Sequence, residues 1–335
     1  MTFRFLIVGQ GLAGSSFACE AVARGHRVLL VDPSPEDNAS HIAAGMINPI
    51  LGQRLNLSWR FETLFPLAEQ FYAAHAPSAW HPIPLVRWFR HEEQQQRWLS
   101  KRDSKELRSH WTPYSGAPHS AFRCPGAAWL STQTFLQTTS RHLPIRRSLL
   151  DPSSLQVRED EIRWGEVSAD YVVFAEGSGA LRNPWFSRLP LRMAKGEILD
   201  LELESFSLSE IHSGEKWILP LPDQGSFRAG STYNWEDPSP VPTSQANFEI
   251  LEGTRRFLPT GQTPRVRQQS AGHRPMLDRG RPVIGPHPNE PRFLLINGLG
   301  AKGALLAPFV AKELMDHLET KRPIDPEIAI HRFPL

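Results

Sequence analysis

The 335-residue chain has little cysteine, no excess of charge of one sign and no long hydrophobic run. Cys19 and Cys124 are its only cysteines, and Cys19 falls inside a helical stretch. That leaves no disulfide framework and no cysteine-based metal cluster to build. Lys plus Arg number 37 and Asp plus Glu 35, for a net charge of +2. This balance is too even for a nucleic-acid groove, so no nucleic-acid partner is expected. The first apolar run, Phe5 to Val8, is too short to span a bilayer, and no basic segment of a secretory signal precedes it. A cytoplasmic globular protein with no membrane span and no metal site is the expectation. The sequence contains no internal repeat. Its oligomeric state is not legible.

What is present is ordinary globular material, 40% hydrophobic, with 30 prolines and 10 tryptophans. The length suffices for two domains or one large one. The most informative stretch comes first. An apolar run, Phe5-Leu6-Ile7-Val8, ends at Gly9-x-Gly11-x-x-Gly14. A small-residue helix pattern over 15–24 follows, Gly25 stops it, and a second apolar run from His26 to Val31 closes at Asp32. Strand, tight turn, helix and strand in that order make a dinucleotide site. Gly9 supplies the turn's backbone angles, Gly11 admits a pyrophosphate, and Gly14 lets the helix lie against the strand. The amides of Leu12 and Ala13 and the positive end of the helix face the phosphates. Asp32 stands 23 residues after Gly9, near the ~20 expected of a ribose-binding carboxylate. An acid there disfavours NADP, and the motif alone does not separate NAD from FAD.

Further along, His41 to Pro49 includes Ala43-Ala44-Gly45-Met46. These residues suit either a backbone run close to a flat ligand or a plain loop and short helix. Helices are expected over 57–76, 91–105, 131–142, with Ser131 as its cap, 247–258 and 304–318. Strands are expected at 85–90, 145–150, 155–158, 161–164, 170–174, 198–203, 282–285 and 293–296, with a hairpin around Asp223-Gln224-Gly225. The strand at 170–174 runs into Ala175-Glu176-Gly177, as a strand does where it meets a nucleotide. The tryptophans between Trp80 and Trp111 suit packing or the lining of a cavity. A second glycine turn, Asn297-Gly298-Leu299-Gly300-Ala301-Lys302-Gly303, precedes the last helix.

Four separated motifs together resemble the flavin-dependent amine oxidases, the family of D-amino-acid oxidase, sarcosine oxidase and glycine oxidase. They are Gly9-x-Gly11-x-x-Gly14 with Asp32; Ala43-Ala44-Gly45-Met46; Gly272-His273-Arg274-Pro275 followed by Asp278, Pro282, Ile284, Gly285 and His287-Pro288; and Gly300-Ala301-Lys302-Gly303 with Leu305-Leu306-Ala307-Pro308. The second and third look most like glycine oxidase. Ala229-Gly230-Ser231-Thr232-Tyr233 is similar to a strand of that family's substrate domain, and also to the oxidase half of bifunctional tRNA wobble-uridine enzymes. The likeness spans essentially the full length. The sequence departs from the family in having Asp32 where Glu is commoner, and Lys302 where glycine-oxidase-like chains often carry Arg.

The resemblance implies an α/β fold: a Rossmann-like, doubly wound FAD domain interleaved with a smaller α+β substrate domain on an antiparallel sheet. We place the FAD domain at 1–79, 126–190 and 268–335 and the substrate domain at 80–125 and 191–267. FAD is expected rather than NAD, because an NAD site would not need the second glycine turn. It is expected to be non-covalent, because no cysteine lies near that turn. The cofactor residues are then Gly9, Gly11, Leu12, Ala13, Gly14, Asp32, Ala43, Ala44, Gly45, Met46, Ala175, Gly177, Gly298, Gly300, Ala301, Lys302 and Gly303. The implied reaction is oxidation of a small amine or amino acid, with hydride passing from the amine carbon to the flavin, hydrolysis of the imine, and oxygen as acceptor. It needs no catalytic base. Arg274 is the expected carboxylate ligand, its fork matching a carboxylate. From the residues alone a structural ion pair, with Asp278 as the candidate partner, is the favoured reading. Tyr233 and Lys302 are further substrate contacts, and His273 is given no catalytic role. The alternatives are an oxidase of a modified tRNA base and a flavin-bearing regulatory protein without turnover.

Overall fold

The computed structural model describes residues 1–33, 38–117, 119–204, 206–277 and 280–334. Strand Thr2–Val8 lies at the centre of a parallel sheet, flanked by Val28–Val31 and Val167–Phe174. Ile145–Arg146 extends it on one side and Phe293–Asn297 on the other, both parallel. The runs at 5–8, 28–31, 172–174 and 293–296 are apolar because both faces are covered. On one face Phe5, Ile7 and Leu30 pack under helices Leu12–Ala23, Phe61–His75, Thr132–His142 and Gly303–Thr320. On the other, Leu6, Val172 and Leu295 pack against Phe186 and Leu189 of an irregular segment.

Helix Gly303–Thr320 contains Pro308. Proline has no N–H to bond the carbonyl four residues back, that of Ala304. The hydroxyl of buried Tyr72, on helix Phe61–His75, donates to that carbonyl at 2.9 Å instead.

A second, eight-stranded sheet runs in the order Arg265–Met276, Arg192–Glu202, Ser226–Gly230, Trp217–Pro220, Ile211–Ser213, Leu85–Trp88, Ala121–Cys124 and Thr112–Pro113. It is antiparallel except where Ile211–Ser213 meets Leu85–Trp88. The division placed at 267/268 therefore falls inside strand Arg265–Met276, which pairs with Arg192–Glu202 over its length. Pro275 is accommodated because this is the edge strand.

Side chains alternate between the faces of such a sheet. Helix Ser244–Thr254 covers the face that carries Leu199, Ile218, Phe227 and Ala229. The other face carries the cross-strand pairs Ala194–Arg274, Gly196–Gly272, Ile198–Ser270 and Asp200–Gln268. A small sheet of Met46–Ile47, Ala128–Leu130 and Trp80–Pro82 lies apart from both.

Several element boundaries differ from those expected, for local reasons. The helix expected from 57 starts at Phe61, because Arg60 turns into the left-handed region at φ 48°. The polar helix is Glu92–Lys101, capped by the His91 ring. The strand expected over 145–150 stops at Arg146, where Ser148 N–H turns back to the Arg146 carbonyl. The helix expected at 247 starts at Ser244, because Thr243 Oγ1 accepts from Ala246 N–H. Ser131 is the cap residue of the next helix, yet its hydroxyl meets Thr134 Oγ1 and no backbone N–H. Trp98 stacks on Phe122 at 3.8 Å and Trp80 on Tyr72 at 5.6 Å, so these rings pack.

Candidate active site

The first glycine turn is shaped by contact with its own neighbours. Gly9 has φ +104°, and a Cβ there would meet the Ala175 carbonyl oxygen at 2.4 Å. A Cβ on Gly14 would meet the Gly9 oxygen at 1.9 Å, and one on Gly11 the Ser40 hydroxyl at 2.9 Å. Helix Leu12–Ala23 therefore starts against the turn with no side chain on Gly11 to cap it. Ser40 Oγ accepts from Leu12 N–H at 3.0 Å. Asp32 is buried and its Oδ2 accepts from Gln10 N–H at 2.7 Å.

Ala43 ends the short helix Ala39–Ile42, and its carbonyl accepts from Thr132 Oγ1. Ala44 and Gly45 lead into strand Met46–Ile47. Gly45 is required by backbone: its φ is +71°, and a Cβ would meet the Leu130 oxygen at 1.9 Å.

The second glycine turn is tied to the middle of the chain. Asn297 is buried, donates from Nδ2 to the Gly177 carbonyl at 2.9 Å, and accepts Gly298 N–H at 2.7 Å. Gly177, Gly298 and Gly300 all have positive φ. After Ala301 and Lys302 the last helix starts at Gly303, where a Cβ would meet Leu12 Cδ1 at 2.9 Å. The N-termini of the first and last helices thus converge, and both favour negative charge. Lys302 is half-buried, and burial together with the Arg281 charge pulls its pKa below the usual lysine value.

Arg274 lies on the sheet face away from helix Ser244–Thr254. Its guanidinium sits over Gly196, where a Cβ would meet Nη1 at 1.9 Å. Nη1 donates to the Thr232 carbonyl at 3.3 Å, and the Tyr233 ring lies 4.5 Å from the guanidinium carbon. Burial lowers the Arg274 pKa. Among the described residues no carboxylate pairs with Arg274 or with Lys302. Asp278 lies outside the described residues. On the same sheet face a cavity of about 300 Å³ is lined by Ile198, Asp200, Arg228, Gln268 and Ser270, with His41 opposite.

Residues 4–317 match the DAO family of FAD dependent oxidoreductases. The chain belongs to that family. This FAD-dependent oxidoreductase is 26% identical to the tRNA 5-methylaminomethyl-2-thiouridine biosynthesis bifunctional protein of Marinobacter nauticus over 93% of the chain and 55% of the relative. The chain thus spans little more than half the length of that relative. It is 25% identical to glycine oxidase of Pseudomonas aeruginosa over 97% of both. Among solved structures, glycine oxidase from Geobacillus kaustophilus superposes with a TM-score of 0.79 at 20% identity, over 97% of this chain and 96% of that one.

The residues present fit FAD. The backbone at Gly9 and Gly14 leaves no room for a side chain, the first helix begins there, and the Asp32 carboxylate lies at the end of the second strand, where a ribose ligand would be expected. The oxidoreductase has no helix long and apolar enough to cross a membrane among its described residues.

Of the residues nominated from sequence, the structure joins Arg274 with Tyr233, and Gly177 with Gly298 through Asn297. It corrects the setting of Tyr233. The strand ends at Gly230, so Tyr233 belongs to the segment beyond it, half-exposed against the guanidinium. Sequence reasoning missed Ser40 and Asn297 as parts of the site. A buried Asn at the C-terminal end of a parallel strand, just before glycine, was the available signal for Asn297. His273 bonds through Nε2 to the Asp237 carbonyl, away from Arg274.

Proposed function

We propose that this oxidoreductase oxidises a small amino acid or a closely related amine, held by its carboxylate on Arg274. One observation carries the reading: a half-buried guanidinium with no carboxylate partner among the described residues, on a sheet face that also borders a cavity. A substrate carboxylate would pair with it by two parallel hydrogen bonds. Tyr233 covers one face of the guanidinium and leaves the other edges to donate. Lys302 adds a second cation beside the glycine turn. Bound FAD would be held without a covalent link by the turns at Gly9–Gly14, Ala43–Met46, Ala175–Gly177 and Gly298–Gly303, and would supply the two-electron acceptor. The chain's own task is orientation, presenting the amine carbon in one pose. An amine bound in its neutral form needs no general base, and oxygen would serve as final acceptor.

Glycine oxidase, similar over nearly the whole chain, supports an amino-acid substrate. The bifunctional tRNA protein supports a second reading, an amine borne on a modified tRNA base. Anaerobic mixing of the flavin-loaded protein with amino acids, N-methyl amino acids and carboxylate-free amines tests the proposal. Bleaching of flavin absorbance by carboxylate-bearing amines is expected. Bleaching by none of them would overturn the proposal, and bleaching only by a tRNA-borne amine would establish the second reading.

A further inference from the structure

The segment from Ser231 to Thr243 carries Tyr233 onto Arg274, yet apolar burial does not hold it down. Tyr233 is 49% exposed, Trp235 44% and Val241 63%. Pro238, Pro240 and Pro242 offer no N–H groups. Its anchors are polar, and they centre on a buried lysine on the reverse face of the same strand pair. Lys195 is 1% exposed. Its Nζ meets Asp237 Oδ2 at 2.7 Å and the Val241 carbonyl at 2.6 Å, with Glu197 Oε1 at 3.6 Å. Its backbone pairs with Asn234 in both directions, at 2.8 and 2.9 Å.

Asp237 is a hub of the same segment. Its Oδ1 accepts Ser239 N–H and its carbonyl meets the His273 ring. Glu197 closes the far end by accepting Thr243 N–H and Oγ1. A second buried lysine, Lys216, donates to the Ser231 carbonyl at the near end and pairs with Glu249. A lysine is seldom buried unless its charge is paired, and here the pairing fastens an otherwise exposed strap.

We propose that Lys195 is a positioning residue for the substrate site: its contacts with Asp237 and Val241 fix the strap so that Tyr233 stays against Arg274. This rests on Arg274 being the carboxylate site. Ala194 and Arg274 are cross-strand partners, as are Lys195 and His273. The lysine therefore acts from the opposite face and touches no substrate.

The test compares FAD-loaded wild type, Lys195→Met, Asp237→Asn and Arg274→Ala. Acetate, a minimal carboxylate, is titrated against the flavin spectrum, and chymotryptic cleavage after Tyr233 and Trp235 is timed. Lys195→Met and Asp237→Asn should each be cut about tenfold faster and bind acetate about tenfold more weakly, with flavin retained. If the buried substitution fails to fold, Asp237→Asn, at a partly exposed position, carries the test. Unchanged cleavage, or faster cleavage with unchanged acetate affinity, overturns the positioning role, as does flavin loss from Asp237→Asn. Unchanged acetate affinity in Arg274→Ala refutes the carboxylate site instead, and the cleavage rates still report whether Lys195 holds the strap.

Discussion

The guanidinium of Arg274 occupies the space that a side chain at position 196 would fill. Gly196 is therefore part of how Arg274 is aimed, although it donates nothing. A methyl group there would stand 1.9 Å from Nη1 and displace the guanidinium. Gly196→Ala should raise KM for amino acids about tenfold or more, in line with the ~1–3 kcal/mol typical of overpacking. FAD content should be unchanged. Steady-state kinetics with flavin absorbance as the loading control checks this, and wild-type KM in the variant would contradict it.

Pro308 and Tyr72 predict a coupled stability effect. Tyr72→Phe leaves the buried Ala304 carbonyl without its donor, at a cost of about 1–3 kcal/mol. Pro308→Ala restores an N–H in register with that carbonyl. Tyr72→Phe should therefore cost less in the Pro308→Ala background than in wild type. Denaturant melts of the double-mutant cycle measure the difference, and strict additivity would reject the bond as the cause.

Glu176 gives a pH dependence whose sign follows from its surroundings. Burial raises its pKa, while Asn183 Nδ2, donating at 2.7 Å, and Arg182 act the other way. The folded state thus holds the proton to a higher pH than the unfolded state does. By linkage, stability is fully present below the ordinary carboxylate range and falls as pH rises through the raised pKa. Other acids, such as Asp237, Glu290 and Asp325, have lowered values and contribute in the opposite direction. The difference between wild type and Glu176→Gln isolates the group. The variant should gain stability relative to wild type as pH rises above that range. A difference that is flat with pH would contradict the assignment.

How much of this was legible in the sequence depended on whether the determinant was local. Gly9 and Gly14 answer largely to backbone angles and close approach in the strand-turn-helix unit, so the glycine spacing together with the flanking strands, the helix and Asp32 made that unit legible. The stripe Leu306, Val310, Leu314 and Leu318 announced the last helix in the same way. Strand Arg265–Met276 went unread because an edge strand with Arg265, Arg267, Gln268 and Gln269 lacks an apolar alternation. Ser40 and Asn297 act on residues distant in sequence, Leu12 and Gly177, and no period encodes such pairs. The likeness of Ala229-Gly230-Ser231-Thr232-Tyr233 to a strand of the family's substrate domain puts Tyr233 in the sheet. The backbone instead leaves the sheet after Gly230.

The most direct measurement is the substrate selectivity of Arg274→Ala. A charge-assisted bidentate contact is worth about 1.5–3 kcal/mol. Its loss should lower kcat/KM for amino acids by roughly ten- to over a hundredfold. Carboxylate-free amines should be barely affected, flavin content should be unchanged, and Arg274→Lys should recover only part of the loss, because lysine lacks the planar fork. Equal losses for amino acids and carboxylate-free amines, or loss of FAD with the side chain, would contradict the assignment of Arg274 as the substrate's carboxylate ligand.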